Sequence, residues 1–287
     1  MRGFLDGRGI NRAFLVFVLG FSVLTLFFVR RSMRLTKQTA VQVRQLVGNP
    51  GSSAPQKTLW QRVDWCDPVD LFLPQIYQRF GIPKKGIIHV GAHVGQELPI
   101  YKQQAIPSVL WIEPNPAVHR DLIHNTKDHP QSQLFFFAAS DKDGRTILNT
   151  PIKSPHTTLG SLLPMGSIQG MFGVDQGQVE VPTKRLDTFF ADRSDRCDYN
   201  VLVMDVQGGE PLVLAGATET LKHIDAVITE VTYSSKDYYQ GITTIQDFDA
   251  LMAKHGFVRV DTISSRFPYD GDALYVRPKY TTVPKSA

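Results

Sequence analysis

Short apolar runs alternate with polar segments of helical pattern over most of the chain. Seven runs of five to nine residues predict strands at 86–90, 108–113, 134–140, 199–206, 225–233, 257–263 and 272–278. The clearest helical patterns lie at 211–223, which has a proline in its first turn, and at 244–255, which is followed by Gly256. This alternation predicts an α/β fold with an open, mostly parallel sheet covered on both faces.

Two departures from simple alternation refine this prediction. From about residue 150 to 180 no strand or helix pattern stands out, and we expect a long loop of the kind that forms lids or substrate sites. The last two strands are joined by SSRFPYDG, which leaves no room for a crossover helix. We therefore expect these two strands to form an antiparallel hairpin that ends the parallel sheet.

The N-terminal segment differs from the rest of the chain. Residues 13–29 form an uncharged apolar run between Arg12 and the pair Arg30 and Arg31. A helix of this length spans roughly 25 Å, so we expect an uncleaved single-pass membrane anchor. A cleaved signal peptide is the main alternative, but its apolar core is usually shorter and ends at small residues rather than arginines. A buried core helix fits less well, because every face of the segment is apolar.

These features divide the chain into four predicted parts. An N-terminal flank (1–12) precedes the anchor (13–29), a polar stalk or linker (30–58) follows it, and a folded domain covers 59–287. Basic residues flank the anchor on both sides, so the positive-inside rule does not choose an orientation. The cytosolic face of a membrane and the lumen of the secretory pathway both stay open.

Composition narrows the class of protein. With 42% hydrophobic and 20% charged residues the chain has ordinary globular composition, which excludes a disordered or fibrous protein. Much of the excess positive charge, +4 overall, lies beside the apolar run, which favours a membrane over nucleic acid as a partner. The only cysteines, Cys66 and Cys197, exclude a disulfide scaffold, and they agree equally with a pair in a lumen or with free thiols in the cytosol.

The first predicted strand runs into a glycine-containing turn, HVGAHVGQE. Gly91 and Gly95 flank this turn, where missing side chains let a ligand approach the backbone. A nicotinamide or flavin site is disfavoured, because His93 stands where the second glycine of GxGxxG would be. A close-packed turn without a ligand is the plain alternative. His89 and His93 have no third ligand nearby in sequence, so no metal site is predicted.

Polar residues end the next two strands at the same edge of the sheet. Glu113 follows the second strand, about twenty residues after the glycine turn, where a carboxylate can accept hydrogen bonds from both ribose hydroxyls of a nucleoside. A surface glutamate that caps a helix is the alternative. Ser140 and Asp141 follow the third strand and can border an adenine, although turn chemistry explains them equally well.

The fourth and fifth strands add three carboxylates at this edge, Asp205, Glu210 and Glu230. Carboxylates on a ligand-bearing edge suit binding an amino group or withdrawing a proton from a hydroxyl. Glu210 can instead favour the dipole of the helix that follows it. Glu230 lies in an apolar run, where a glutamate is unfavourable unless it is paired or exposed at a site.

Taken together, these motifs resemble, in order and spacing, the FkbM family of S-adenosylmethionine-dependent methyltransferases. The resemblance covers roughly residues 82–260 and is carried by HVGAHVGQE, WIEPNP, AASDKDG, RLDTFF, MDVQGGEPLVLAGA and ITEVTY. It implies the seven-stranded, Rossmann-like class I methyltransferase sheet, with S-adenosylmethionine as the cofactor.

The resemblance also implies roles for single residues. Those expected to bind the cofactor are His89, Gly91, Ala92, His93 and Gly95 at its methionine part, Glu113 at its ribose, and Ser140 and Asp141 at its adenine. Those expected near the transferred methyl group and the acceptor are Asp205, Glu210 and Glu230. Two positions depart from the family pattern. His89 replaces the usual acidic residue and has no carboxylate for the cofactor's amino group, and Gln207 stands where many members have glutamate.

The activity implied by the resemblance is O-methylation of a sugar, a glycolipid or another hydroxylated metabolite near a membrane. The acceptor hydroxyl would attack the methyl group while a carboxylate takes its proton. Two alternatives stay open. One is a catalytically inactive methyltransferase fold that serves as a membrane-tethered binding module, suggested by His89. The other is a glycosyltransferase that holds a metal through Asp141 and Asp143, although Gly144 also makes this segment a turn.

Overall fold

A computed structural model of the chain describes residues 67–152, 157–234, 238–264 and 270–281. The predicted flank (1–12), anchor (13–29) and stalk (30–58) lie outside these residues, as does Cys66. Within the described ranges, no helix has the length and apolar character needed to cross a bilayer. The division of the chain into four parts therefore stays a prediction.

The described residues form two sheets. The ten strands are β1 (Gly86–Val90), β2 (Val109–Ile112), β3 (Ser132–Phe135), β4 (Ala138–Ala139), β5 (Gly144–Ile152), β6 (Asp175–Lys184), β7 (Tyr199–Met204), β8 (Ala226–Thr232), β9 (Val258–Ser264) and β10 (Asp270–Val276). The larger sheet has the order β3-β2-β1-β7-β8-β10-β9, and its first five strands are parallel. Strand β10 is antiparallel to both β8 and β9. The predicted mostly parallel seven-stranded sheet with a terminal antiparallel hairpin is confirmed.

In the described ranges, eight α-helices pack around these sheets. They are α1 (Pro68–Gln78), α2 (Leu98–Gln103), α3 (His119–Thr126), α4 (Ile168–Phe172), α5 (Leu186–Phe189), α6 (Glu210–Ala215), α7 (Thr218–Leu221) and α8 (Ile245–Lys254). The helix predicted at 244–255 is confirmed as α8, which begins where the Thr244 side chain caps it. The pattern at 211–223 forms two helices instead of one. They separate at Gly216, where a Cβ atom would lie 1.9 Å from the carbonyl oxygen of Ser140.

The segment after β3 differs most from the prediction. The run at 134–140 is divided between the two sheets, because Ala138 leaves the larger sheet to pair with Thr183 of β6. The predicted long loop is also partly regular, since β5 and β6 pair as an antiparallel ribbon from Gly144 opposite Thr183 to Ile152 opposite Asp175. Most β5 side chains are exposed or half-buried, so this strand carries little hydrophobic pattern.

The larger sheet is covered on both faces. One face packs against α6, α7 and α8 through the buried side chains of Leu214, Leu221 and Phe248. The other packs against α1, α2 and α3 through Phe72, Tyr101 and Leu122. Alternate residues of β1 belong to the two faces. Because both faces are filled, the strands meet a ligand only at their carboxyl ends.

Candidate functional site

The carboxyl ends of β1 and β7 approach closely at the glycine turn. Gly91 has a φ of +84°, and a Cβ atom added there would lie 1.8 Å from the carbonyl oxygen of Asp205. Only glycine fits such a distance and such a φ. In the sheet, β2 and β3 lie on one side of this junction, and β7 and β8 lie on the other. Such a switch point is where open α/β sheets bind ligands.

Glu113, at the end of β2, is buried and held by backbone donors. Its Oε2 accepts a hydrogen bond from the backbone N–H of His93 (2.8 Å), and its Oε1 accepts one from Asn115 (2.7 Å). Burial raises the pKa of Glu113 to about 7, the charge of Asp205 adds to the effect, and the two N–H donors oppose it. Each oxygen keeps a second acceptor position, so the side chain can still accept hydrogen bonds from ligand hydroxyls.

A cavity lies at this switch point, with a volume of about 680 Å³ that includes the open space at its mouth. Predicted residues in its wall are Gly91, His93, Glu113 and Asp205. Pro114, Ala138 and Ala139 supply apolar surface, and residues of β5 and of the following segment, including Leu148, Thr158, Gly160 and Leu162, complete the wall. The small sheet thus forms part of the site.

Asp205 and Glu230 are linked by the side chain of Gln207. The Gln207 amide donates hydrogen bonds to Asp205 Oδ1 (2.6 Å) and to Glu230 Oε2 (3.2 Å). The hydroxyl of Tyr239 donates to Gln207 Oε1 (3.0 Å), which orients the NH₂ group toward the carboxyl groups. Gln207 thereby holds together two acidic side chains that would otherwise repel each other.

The segment that follows β5 is attached to the same loop. The buried Ser161 hydroxyl donates to the backbone carbonyl of Gln207 (2.7 Å) and accepts from the backbone N–H of Leu163 (3.0 Å). Ser161 also bridges Asn149 of β5 through backbone pairing. Gln207 has a φ of +55°, a conformation that a residue other than glycine adopts only when its surroundings fix it. The wall of the cavity and the loop carrying Asp205 therefore form one connected unit.

The acidic groups at this edge have raised pKa values. Burial and the charges of Asp205 and Glu210 raise the pKa of Glu230 well above its usual range. Burial also raises the pKa of Glu210 to about 7, although the Val206 N–H donates to its Oε1 (3.0 Å). For Asp205, burial against the surrounding protein raises the pKa, while Gln207 and His93 oppose it. Asp205 reaches solvent and has these two partners, which favour its ionised form more than that of Glu230.

His89 lies outside the cavity wall. Its ring is buried, stacks on Trp111 at a centroid distance of 5.1 Å, and has its Nδ1 2.8 Å from the hydroxyl of Tyr101. Burial lowers the pKa of His89 to about 3, so the imidazole is neutral at physiological pH. The side chain is thus part of the packing between the sheet and α2.

The other predicted cofactor-binding residues surround the cavity without lining it. Ala92 is fully buried, and Gly95 packs beside Leu122 of α3. The buried Ser140 hydroxyl donates to the exposed Asp141 (3.0 Å), one residue beyond the wall. Asp143 accepts a hydrogen bond from the backbone N–H of Arg185 (2.8 Å), as a turn residue does. Within the described part of the chain, no group of three or more metal-binding side chains is arranged to hold an ion.

Several residues of the site carry no sequence signal of their own. Tyr239 and Ser161 are 32 and 46 residues from Gln207 in the chain, and only the fold brings them to it. Gln207 is an exception. It stands two residues after Asp205 in the motif MDVQGGE, so the sequence alone indicates that it lies near Asp205. Leu148 and Thr158 lie in the stretch where the pattern is weakest.

Comparisons with known proteins give a matching family, a related protein and similar solved structures. The model of the family described as "Methyltransferase FkbM domain" matches residues 89–259, more than half of the chain. The "2-O-methyltransferase NoeI" of Sinorhizobium fredii is 26% identical over 182 residues, which cover 58% of this chain and 70% of that protein. Similar solved structures include Synechocystis magnesium protoporphyrin IX methyltransferase with bound SAM (13% identity, 73% of this chain and 77% of that one, TM-score 0.42). Another is Aeropyrum pernix fibrillarin with S-adenosyl-L-methionine (11% identity, 72% and 73%, TM-score 0.40).

Proposed function

The chain belongs to the FkbM methyltransferase family, and from this premise we propose that it methylates a hydroxyl of a sugar, a glycolipid or another hydroxylated metabolite at a membrane. As a family member it is a methyltransferase with S-adenosylmethionine as its cofactor. The observation that carries the proposal is Asp205, a carboxyl group in the cavity wall that Gln207 holds next to the glycine turn. The likeness to a 2-O-methyltransferase supports a hydroxyl acceptor. The predicted anchor at 13–29 supports the membrane setting.

The residues of the cavity fit this cofactor. Glu113 keeps acceptor positions for the ribose hydroxyls, and Pro114, Ala138 and Ala139 offer apolar surface to a purine. The Gly91 turn brings backbone rather than side chains to the methionine part. Glu97, beside the turn, has a buried Oε2 without a hydrogen-bond partner. These hydrogen-bond acceptors and this apolar surface thus suit a nucleoside that carries a positively charged amino-acid tail.

In the proposed reaction the bound cofactor supplies an activated methyl group. Asp205 accepts the proton of the acceptor hydroxyl as that oxygen becomes nucleophilic, and Gln207 fixes the direction of the carboxylate. Burial and the charges of Asp205 and Glu210 favour the protonated form of Glu230, and in that form it can donate a hydrogen bond to a second acceptor oxygen. The segment around Ser161 supplies part of the cavity wall. Most of the rate enhancement comes from holding the two reactants in line.

Isothermal titration of the full-length protein with S-adenosylmethionine and S-adenosylhomocysteine tests the cofactor site. Glu113→Gln removes charged acceptors for the ribose, and we expect it to weaken binding by about 10- to 100-fold. The exposed Glu219→Gln serves as a matched control, since Glu219 lies on α7 away from the cavity wall.

A screen of membrane-proximal sugars and lipids for release of S-adenosylhomocysteine tests the reaction. Asp205→Asn should still bind S-adenosylhomocysteine as the parent protein does and lose about 10²- to 10⁴-fold in rate. Cofactor binding without transfer to any hydroxylated acceptor would instead favour the inactive binding module. A well-folded protein that binds neither nucleoside would contradict the proposal as a whole.

A further inference from the structure

Glu97 is a buried carboxyl group that no described contact explains. It directly precedes α2, two residues after Gly95, and its side chain is 8% exposed. Its own backbone N–H occupies one oxygen, while Oε2 is buried without any hydrogen-bond partner. A buried polar atom without a hydrogen-bond partner is unfavourable in the folded protein, which points to a partner that arrives from outside the chain.

The groups around Glu97 are acidic. Burial raises the pKa of Glu97 well above the usual range, and the charges of Asp67, Asp205 and Asp70 add to this effect. Its nearest basic atom among the described ion pairs is Nδ1 of His89, 4.0 Å from Oε2. That imidazole is neutral, as argued above, so it supplies no compensating charge. Among the described residues the position is therefore an acidic pocket without a cation.

The place of this pocket identifies what it can bind. The 4.0 Å distance puts the Glu97 carboxyl beside the side chain of position 89, where the family usually has its acid. Gln96 and His93, next to Glu97 in the same turn, line the cavity, and so does Asp205. Glu97 thus adjoins the part of the cavity lined by the glycine turn, where the proposed function places the amino-acid tail of the cofactor.

We propose that Glu97, assisted by Asp67, binds the α-ammonium group of S-adenosylmethionine in place of the acid that His89 has replaced. This inference rests on the proposed function, since it assumes the same cofactor. Asp67 caps α1 through a hydrogen bond to the backbone N–H of Val69 (2.9 Å), so its carboxylate is fixed before the ligand arrives. His89 then serves as packing between Trp111 and Tyr101, and its presence does not make the fold inactive.

Titration of the full-length protein with three nucleosides tests this assignment. S-adenosylhomocysteine has both the ammonium and the carboxylate, decarboxylated S-adenosylmethionine has only the ammonium, and methylthioadenosine has neither. We expect Glu97→Gln to weaken binding of the first two by about 10- to 100-fold and to leave methylthioadenosine unchanged. Glu113→Gln should weaken all three, because each contains the ribose.

The outcomes separate the possible roles of Glu97. If decarboxylated S-adenosylmethionine binds Glu97→Gln as tightly as the parent protein, the side chain contacts the carboxylate and the inference is wrong. Equal weakening of all three ligands, or of none, also overturns it. If Glu97→Gln does not fold, the deaminated analogue of S-adenosylhomocysteine on the parent protein replaces it and should bind about 10- to 100-fold more weakly than S-adenosylhomocysteine. Failure of the parent protein to bind any of them would instead contradict the proposed function.

Discussion

Gln207→Glu changes the charge at the centre of the site while keeping its shape. The native amide donates to Asp205 (2.6 Å) and to Glu230 (3.2 Å), and its hydrogen bond lowers the pKa of Asp205. The substitution removes this donor and adds a third carboxyl group. Both effects disfavour the ionised form of Asp205, so its pKa rises.

The size of the shift follows from the distances. At an effective dielectric constant of about 20, two unit charges about 4 Å apart repel by about 4 kcal/mol, which corresponds to about three pKa units. The introduced carboxyl group takes up part of the proton itself, because two acids in contact share one charge. We therefore expect the apparent pKa of Asp205 to rise by about one to two units. Gln207→Ala, which only removes the donor, should give a smaller rise.

The rate of methyl transfer as a function of pH measures this shift. Transfer needs ionised Asp205, so the ascending limb of the profile should move to higher pH by the same one to two units, by the estimate above. Carbon-13 NMR titration of the Asp205 carboxyl group measures the same pKa shift without a methyl acceptor. The Asp205→Asn variant assigns the signal. Gln103→Glu, an exposed glutamine of α2, is the matched control. An unchanged Asp205 pKa in Gln207→Glu would refute the role assigned to the amide.

Two further predictions concern stability. Gly91→Ala combines an unfavourable φ with a Cβ 1.8 Å from Asp205, whereas Gly81→Ala has a φ of +61° and open space. Denaturant unfolding should show a loss of about 1 kcal/mol for Gly81→Ala and about 2 to 5 kcal/mol for Gly91→Ala, and equal losses would exclude the steric clash. Glu113 and Glu210 have folded pKa values of about 7, above their unfolded ones, so the folded state binds more protons. Stability should therefore fall between about pH 5 and 7, and Glu113→Gln should weaken this dependence; a flat profile in the parent protein would contradict it.

The parts of the site that sequence could predict are those fixed by the strands. Apolar runs located the seven strands of the larger sheet, and parallel strands end at one edge, so Glu113 and Asp205 were expected near each other. The lack of a crossover between the last two strands predicted the hairpin. These are consequences of local pattern and chain length, which a single sequence carries.

The parts that sequence could not predict depend on distant partners. β5 pairs with a strand more than twenty residues later, and its exposed side chains leave no alternation to read. His89 was expected at the cofactor from its place in the motif. Its position in β1 explains why it packs against α2 instead. Alternate residues of a strand point to opposite faces, so His89 lies on the same face as Ile87, which is the face toward α2.

The distribution of charge at the site bears on the release of product. The cofactor is a cation at its sulfur, and methyl transfer removes that charge, while Asp205 in the cavity wall returns to its carboxylate form once it releases the proton of the acceptor. A carboxylate beside the reacting centre therefore stabilises the substrate form of the cofactor more than the demethylated product. Glu97 contacts the amino-acid tail in our proposal, and that tail is the same in both forms. Asp205→Asn should thus reduce the preference for S-adenosylmethionine over S-adenosylhomocysteine, whereas Glu97→Gln should weaken both ligands alike.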